Sequence, residues 1–548
     1  MRLRYPDKTV LFTQNKRYTL DNSLSREDVK IRYTLTKDAC MRITVTADET
    51  PIRFLRLRWN YNEEERMDGI VRAHGSIFSV PYGAVNRRWD SIMPEAYMPW
   101  YFMMTNGTDS KLDASGVTRA CGVMTGGNAF CFWQNDMDGF TLWVDLRCGT
   151  AGVLLRGREL NAATVVFREY NEHSFTENEK QLAGNVFLAC EDFCRVMCPH
   201  PILPKEPVYG SNNWYYAYGN SSHKEIIQDA SFLAKMTAGL YNRPFMVIDD
   251  GWQQYGCTGP WDKGSEKFPD MPGLAQEITN MGVKPGIWYR PLSDAEKTLS
   301  WATDEMRHPL DASCLDPSHP TVLAHIKEDM KRFADWGYRL VKHDYSTHDM
   351  FGFWKLELNP APVKEPVWSF YDTGKTGAEI VLDFYRALRE AAGEDVIILG
   401  CNTIHHLAAG LVEVNRTGDD TSGILWEKTR VAGVNTLAFC MCQNRTFYAS
   451  DADCIGITEN IPWELNRQWL YALANSGSPL FVSCKLGILG DEQLSELRRA
   501  FAAASVQSDR MVPLNWTETN CPDRWLLNGT TISFRWIPDE GCDSIHME

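Results

Sequence analysis

The strongest constraint in this sequence is an alternation of short apolar runs with helical segments, which begins after Pro207 and continues to about residue 504. Eight apolar runs, among them PFMVIDD, YRLVKHDYS and DVIILGCN, are each followed by apolar residues at helical spacing. Eight strand–helix units are the number that closes a (β/α)8 barrel. A doubly wound sheet is the alternative, but no glycine-rich phosphate loop follows any early strand. The sequence therefore predicts a central (β/α)8 TIM barrel over residues 201–504.

The segments that flank this barrel are typical of antiparallel β structure. Residues 1–200 contain alternating or β-branched runs such as CMRITVTADE and GFTLWVDLRC, separated by clusters of Gly, Asn and Asp. They predict an N-terminal β-sandwich, and the proline-rich stretch PHPILPKEP predicts the linker after it. Residues 505–548, with DRWLLNGTTISFRWIP, predict a small C-terminal antiparallel β domain.

Composition limits the partners and the compartment. A net charge of −15 disfavours nucleic acid and anionic membrane surfaces as partners. The sequence has no apolar run of 18 residues, and MRLRYPDKTVLF at the N-terminus does not resemble a signal peptide. The 16 cysteines form no CxxC pair, which favours free thiols in a reduced compartment. We therefore expect a cytoplasmic protein without a metal or cofactor, and its oligomeric state, a homo-oligomer included, stays open.

Polar and aromatic residues occupy the carboxyl ends of seven of the eight predicted strands. Active sites of such barrels form at that end, so these side chains are expected to meet at one mouth. Charged groups that bind hydroxyls, together with flat rings that pack on a sugar face, favour a carbohydrate site. In strand order the residues are Asn212, Asn213 and Trp214; Asp249, Asp250 and Trp252; Trp288 and Arg290; Lys342 and Asp344; Cys401 and Asn402; Arg416, Asp419 and Asp420; and Asp451 and Asp453.

Cleavage of a glycosidic bond needs two carboxyl groups with different roles. Lys342 and Asp344 are two residues apart on a strand and face the same side, so Lys342 is expected to lower the pKa of Asp344 and keep it ionised. The second carboxyl must hold a proton, which requires a raised pKa. Asp419 and Asp420 are its candidates, and composition does not choose between them.

A metal site is the alternative interpretation of the segment HDYSTHD. His343, Asp344, His348 and Asp349 are residue types that bind metals. However, His343 and Asp344 would lie on opposite faces of a strand, and no third ligand is evident. The sequence therefore predicts no metal.

The order of three motifs resembles a known family. DDGWQ at strand 2, KxD at strand 4 and RxxxD at strand 6 are similar to the α-galactosidases of glycoside hydrolase clan D, closest to family 36. That group has an N-terminal β-sandwich, a (β/α)8 barrel and a small C-terminal β domain. The resemblance implies a retaining double displacement with Asp344 as nucleophile and Asp420 as acid/base, Asp419 being the alternative.

The resemblance also implies a substrate-binding set for a terminal galactose of an oligosaccharide or glycoside. Asp249 and Asp250 would accept hydrogen bonds from the 4- and 6-hydroxyls, with Trp252 beside the ring. The remaining implied contacts are Lys342 near the 3-hydroxyl, Arg416 near the 2-hydroxyl, Cys401 and Asn402 at the border of that subsite, and Trp214, Trp288 and Arg290 around it.

Several departures from the family pattern leave the exact sugar and aglycone open. GIWYRPL at strand 3 differs from many members and adds Arg290, and His343 precedes the nucleophile where members differ. Three other functions stay open: a transglycosylase of the raffinose-synthase type, a hydrolase of another α-linked sugar such as α-N-acetylgalactosaminide, and a non-catalytic carbohydrate-binding protein.

Overall fold

Two antiparallel sheets form the N-terminal part of the computed structural model, which describes residues 1–67, 71–75, 90–91, 96–98, 100–110, 116–351, 367–506 and 510–538. The first sheet has the strand order β2-β1-β6-β13-β12-β9 and the second β3-β4-β5-β16-β11-β10-β7-β8, while β14 and β15 pair with each other. The strands are β1 Lys8–Thr13, β2 Arg17–Leu20, β3 Ser25–Arg26, β4 Val29–Leu35, β5 Cys40–Thr46, β6 Ile52–Asn60, β7 Arg72–Gly75, β8 Asp90–Ser91, β9 Ala96–Met98, β10 Tyr101–Thr105, β11 Thr118–Val123, β12 Phe130–Asp136, β13 Gly139–Asp145, β14 Arg147–Cys148, β15 Ala151–Gly152 and β16 Glu159–Tyr170.

An apolar core lies between these two sheets. Along β6, Leu55, Leu57 and Trp59 are buried, while Arg56 and Arg58 are partly exposed. This alternation has the period of two that a strand with one buried face requires. Two helices, α1 Glu177–Ala183 and α2 Asn185–Met197, then lead toward the barrel.

The barrel follows as alternating parallel strands and helices. Its strands are β17 Tyr209–Asn212, β18 Phe245–Ile248, β19 Lys284–Tyr289, β22 Leu340–His343, β23 Ile397–Gly400, β24 Val414–Arg416, β25 Ala449–Asp451, β26 Cys454–Ile457 and β27 Leu480–Cys484, with a hairpin of β20 Arg307–His308 and β21 Asp311–Leu315 inserted between β19 and β22. Its helices are α3 Trp214–Ala217, α4 His223–Met236, α5 Met271–Asn280, α6 Pro320–Asp335, α7 Ser346–Phe351, α8 Gly377–Ala392, α9 His405–Ala408, α10 Trp426–Thr429, a π-helical segment Arg430–Asn435, α11 Thr436–Cys440, α12 Trp463–Ala474 and α13 Asp491–Ala504.

The seventh strand of the barrel is broken into β25 and β26, and these two halves close the ring. The parallel strand order is β25-β24-β23-β22-β19-β18-β17-β27-β26, so its two ends are β25 and β26. These two strands are separated along the chain by Ala452 and Asp453 alone, and Asp453 has a φ of +70°. One half of strand seven therefore pairs with β24 and the other half with β27.

The predicted fold class is confirmed, since a sandwich, a (β/α)8 barrel and a small antiparallel sheet follow one another. The last sheet contains β28 Val512–Pro513, β29 Arg524–Leu527 and β30 Thr530–Ser533. The predicted domain limits remain predictions, and residues 539–548 of the C-terminal unit lie outside the described residues. The helical stretch after β24 is divided between α10, the π-helical segment and α11.

Candidate active site

A cavity of about 190 Å³ opens at the carboxyl ends of the barrel strands. All of the residues predicted to bind or cleave the sugar line it, except Trp252 and Arg290; the other strand-end residues Asn212, Asn213, Asp451 and Asp453 do not line it. The lining residues are Trp214, Asp249, Asp250, Trp288, Lys342, Asp344, Tyr345, Cys401, Asn402, Arg416, Gly418, Asp419, Asp420 and Lys428.

The inner wall of the cavity is a buried ion pair. Lys342 Nζ lies 2.7 Å from Asp249 Oδ2, and the same oxygen accepts a hydrogen bond from the Asn212 side chain at 2.6 Å. The Asn213 side chain accepts from the backbone N–H of Asp249. Burial lowers the pKa of Lys342, but the Asp249 carboxylate outweighs it and the net shift is well upward. Two fixed opposite charges are therefore available to sugar hydroxyls at the base of the cavity.

Asp250 stands beside this pair. Burial, and next the charge of Asp249, raise the pKa of Asp250 to about 6. The turn after the two carboxylates requires glycine, because Gly251 has a φ of +109° and a Cβ there would lie 2.6 Å from the carbonyl oxygen of Gly219. This close approach explains the glycine of the DDGW motif.

Asp344 lies against an aromatic wall. Its carboxylate accepts hydrogen bonds from Trp288 Nε1 at 3.2 Å and from the backbone N–H of Tyr345 at 2.6 Å. Burial raises the pKa of Asp344; Lys342 opposes this, but the net shift is upward. Lys342 thus lowers the pKa of Asp344 as predicted, but burial outweighs it, so the prediction that this pKa is held below its usual value is wrong. Lys342 makes its ion pair with Asp249.

Asp420 lies nearer the mouth and is held by Arg416. Arg416 Nη2 is 2.9 Å from Asp420 Oδ1 and 3.0 Å from Asp453 Oδ2. The Asp420 side chain is 47% exposed, against 3% for Asp249. Burial raises the pKa of Asp420, but Arg416 and Lys342 lower it by more. For Asp420, the expectation of a raised pKa is therefore wrong in the free site, since the guanidinium contacts this carboxylate directly.

The neighbouring Asp419 has the opposite shift. Burial is the main cause that raises the pKa of Asp419, and its Oδ1 accepts a hydrogen bond from the backbone N–H of Asp420. Both carboxylates border the cavity. Proximity alone therefore does not choose between them.

Cys401 and Asn402 form a third wall. Burial raises the pKa of the Cys401 thiol well above its usual value, so this side chain is neutral. Asn402 has a φ of +55°, and its side-chain oxygen accepts from the backbone N–H of His348. Its side-chain nitrogen is buried without a hydrogen-bond partner within the described ranges, which leaves one donor beside the cavity.

The structure corrects the prediction for Trp252. This indole is fully buried behind the cavity, packs against Trp261, Phe333 and Trp336, and donates its N–H to the carbonyl of Trp288 at 2.9 Å. The φ of Gly251 turns the chain away from the site before Trp252 is reached. Trp252 therefore supports Trp288 and does not line the cavity.

The prediction for Arg290 is also corrected. Arg290 makes a two-point ion pair with Asp349, at 2.9 and 2.7 Å, and its guanidinium lies 4.2 Å from the centre of the Tyr345 ring. Tyr345 lines the cavity and Arg290 does not. Arg290 therefore packs against a lining residue and does not itself line the cavity.

The alternative metal site does not form. His343 points to the other side of β22, where its Nδ1 lies 3.1 Å from Ser346 Oγ, and Asp349 is paired with Arg290. Across the described ranges, no group of three or more His, Cys, Asp or Glu side chains is arranged to hold a metal ion.

In the same part of the chain, no helix has the length and hydropathy that a membrane span requires.

The sequence did not single out three lining residues: Tyr345, Gly418 and Lys428. Tyr345 directly follows Asp344 and has a φ of +62°, a feature that no composition signal reveals. Lys428 lies on α10, beyond the carboxyl end of β24. These residues lie beyond the strand ends, so the pattern of polar strand ends did not predict them.

Sequence relatives of the chain are α-galactosidases. A probable α-galactosidase B of Aspergillus oryzae is 24% identical over 324 residues, which cover 53% of this chain and 66% of that relative. A probable α-galactosidase B of Talaromyces emersonii and an α-galactosidase of rice are each 26% identical over 145 residues, 26% of this chain, and the matches cover 28% and 30% of those proteins. The match thus spans less than two thirds of each relative. No family model matches the chain.

Solved structures share the fold. An α-galactosidase from Thermus thermophilus, in complex with p-nitrophenyl α-D-galactopyranoside, superposes with a TM-score of 0.58 at 14% identity and covers 92% of this chain and 99% of its own. A family 36 α-galactosidase from Geobacillus stearothermophilus has a TM-score of 0.59 at 12% identity and covers 95% of this chain and 79% of its own. The predicted resemblance to the α-galactosidases is confirmed. At these identities the superpositions establish the fold and leave the activity to be argued from the site.

Proposed function

We propose that the protein is a retaining α-galactosidase that cleaves terminal α-galactosides through a covalent glycosyl-enzyme intermediate. The observation that carries this proposal is one cavity in which Asp344 and Asp420 accompany the buried pair of Asp249 and Lys342. A retaining glycosidase needs two carboxyl groups, one to attack and one to transfer protons. The α-galactosidase relatives support the choice of sugar.

In the first step, an Asp344 oxygen attacks the anomeric carbon, and the bond from that carbon to the glycosidic oxygen breaks. Asp420 gives its proton to that oxygen, so the aglycone leaves as a neutral alcohol. In the second step, Asp420 takes a proton from water, the water oxygen attacks the anomeric carbon, and Asp344 leaves as a carboxylate. Two displacements restore the original anomeric configuration.

Substrate binding brings Asp420 closer to the protonation state that it lacks in the free site. A sugar hydroxyl that accepts from Arg416 competes with Asp420, whose contact with Arg416 is 2.9 Å in the free site. Loss of that contact raises the pKa of Asp420 toward the value that a proton donor needs. Trp288 and the Tyr345 N–H stabilise the charged form of Asp344.

Replacement of the two carboxyls by glycine tests the proposal directly. Asp344→Gly should lower kcat on p-nitrophenyl α-galactoside by about 1,000-fold or more, and Asp420→Gly should lower kcat/KM by about 100- to 10,000-fold on substrates with poor leaving groups. With added azide, Asp344→Gly should yield β-galactosyl azide and Asp420→Gly α-galactosyl azide, because azide enters on the face that the missing carboxylate vacates.

Asp419→Gly is the matched control, since Asp419 is the adjacent carboxylate on the same cavity wall. It should retain most of the activity and form no azide product. If Asp419→Gly gave the α-azide instead, the acid/base would be Asp419. Full activity of Asp344→Gly would contradict the proposed mechanism.

A further inference from the structure

We propose that a rim formed by Trp214, Tyr218, Ile424 and Leu425 is the leaving-group subsite and that it binds an apolar aglycone, such as an alkyl or lipid-like chain. This inference rests on the proposed function, because it assigns the side of the cavity from which the alcohol departs. The four residues are called the apolar rim below.

Burial places the apolar rim on the leaving-group side. The Asp249 side chain is 3% exposed at the base of the cavity, whereas the proposed proton donor Asp420 is 47% exposed at the mouth. The alcohol that receives this proton must lie beside Asp420, and residues 421–425 directly continue the chain from it. Trp214 lines the cavity at the same mouth.

The loop after Asp420 is fixed so that two apolar side chains face solvent. Ser422 Oγ accepts hydrogen bonds from the backbone N–H groups of Ile424 and Leu425, both at 3.0 Å. Thr421 is anchored at the other end, since its N–H donates to Asp453 Oδ2 at 2.8 Å. Ile424 is nevertheless 52% exposed and Leu425 50% exposed. A loop held by hydrogen bonds with its apolar groups outward is typical of a binding surface.

Tyr218 joins this loop to the cavity. Its hydroxyl accepts a hydrogen bond from the N–H of Gly423 at 3.1 Å, and its ring meets the Trp214 ring edge-on with centroids 5.7 Å apart. The φ of Tyr218 is +45°, a conformation that is uncommon for a bulky residue and is often retained at functional sites. Tyr218 therefore bridges Trp214 inside the cavity and the loop that carries Ile424 and Leu425.

The chemistry of the rim favours an apolar occupant over a second sugar. A sugar aglycone needs several charged or amide groups for its hydroxyls, and none of the four rim residues carries one; the charged residues Asp419, Asp420 and Lys428 belong to the cavity lining instead. The rim offers two aromatic rings and two aliphatic side chains. An alkyl chain that leaves the anomeric oxygen would bury its methylenes against them.

The test compares ethyl and octyl α-galactosides, whose alcohols are similar leaving groups, with octyl galactoside kept below its micelle concentration. Each buried methylene is worth up to about fourfold in binding. The unsubstituted protein should therefore show a kcat/KM for octyl α-galactoside that is about 10-fold or more higher than that for ethyl α-galactoside. Ile424→Ser/Leu425→Ser should reduce this ratio to within about threefold of unity. Tyr241→Ser is the matched control, because Tyr241 is 94% exposed and precedes β18 at the opposite end of the barrel.

Four outcomes separate the possibilities. A high octyl-to-ethyl ratio that falls in the double variant and not in Tyr241→Ser supports the apolar subsite. The inference is overturned, and the proposed function stands, if the unsubstituted protein turns over both galactosides with an octyl-to-ethyl ratio near unity. A preference for raffinose that the double variant abolishes has the same meaning. No turnover of either galactoside overturns both. A dimer in sedimentation velocity that the double variant dissociates, together with a ratio near unity, would assign the rim to a second copy of the chain.

Discussion

At the scale of single residues, the ion pairs of the site differ from those that neighbouring positions in the chain suggest. Lys342 lies two residues before Asp344 and still binds Asp249, which follows β18 on the far side of β19, because both side chains line the same cavity. Arg416 binds Asp420 and Asp453 together. In the free site, Lys342 and Arg416 therefore pair with carboxylates other than Asp344, the proposed nucleophile.

Trp252 offers a test at this scale. Trp252→Phe removes the N–H that donates to the Trp288 carbonyl and part of a buried ring, so the free energy of unfolding should fall by about 1–3 kcal/mol. KM for p-nitrophenyl α-galactoside should change by less than about threefold, because the indole does not line the cavity. Urea unfolding and steady-state kinetics measure the two effects.

Trp288→Phe is the companion variant, since Trp288 lines the cavity and donates to Asp344. It should lower kcat more than Trp252→Phe does. A tenfold rise in KM for Trp252→Phe with unchanged stability would instead show that the indole contacts the sugar.

The sequence predicts which residues gather at the cavity better than it predicts where their side chains point. Asp249, Asp344 and Arg416 could be placed because they end buried strands, and the strand ends of a barrel share one mouth. Trp252 could not, because it follows a turn that is set by the approach of Gly251 to Gly219. Arg290 directly follows β19, but its partner Asp349 could not be predicted from the strand pattern.

At the scale of elements, the broken seventh strand connects the barrel to the site chemistry. Asp453 lies in the break, and its Oδ2 accepts hydrogen bonds from the Tyr215 hydroxyl and the Thr421 N–H and contacts Arg416. It thus orients both the cation and the chain next to Asp420. The eight strands were predictable from their apolar runs, but the break was not, because it depends on which neighbour each half pairs with.

Asp453→Asn tests Asp453 as a positioning residue. Loss of its negative charge frees Arg416 for Asp420 and removes a like charge, and both effects lower the pKa of Asp420. Since kcat/KM requires protonated Asp420 in the free enzyme, its alkaline limb should move to lower pH, with a fall of about 10-fold or more at pH 7. The pH profile of kcat/KM measures this shift.

Tyr215→Phe is the control for Asp453→Asn, because it removes a hydrogen bond to Asp453 without changing a charge. It should leave the alkaline limb in place. An unshifted limb in Asp453→Asn would mean that Asp453 supports only the fold.

At the scale of the whole molecule, the sandwich and the barrel are joined by polar and aromatic contacts. Gln443 donates to the Tyr101 hydroxyl at 2.7 Å, and Arg158 is paired with Glu379. His406 on α9 lies against Trp100, with ring centroids 5.5 Å apart. Burial lowers the pKa of His406 to about 4. None of these pairs was predictable, because they join residues hundreds of positions apart without a shared pattern.

The pKa of His406 predicts loss of stability in acid. The unfolded chain takes up a proton on this histidine near pH 6.5, whereas the folded protein does so only near pH 4, so stability falls as the pH decreases between those values. From pH 6.5 to 5 the contribution is about 2 kcal/mol. In urea unfolding, His406→Gln should lose about that much of the acid dependence.

His173→Gln is the matched control, since the His173 side chain is 86% exposed. It should keep the acid dependence of the natural chain. If His406→Gln were equally acid-sensitive, the loss of stability would arise from other groups.

The gap in strand seven also has a consequence for how the barrel tolerates change. Because β25 pairs with β24 and β26 pairs with β27, the two flanks of the ring can set their registers independently. A slip of one residue on one flank would be absorbed at Ala452 and Asp453 and would not flip side chains on the other flank. The gap thus separates the registers of the two flanks, and Asp453, which lies in it, also pairs with Arg416.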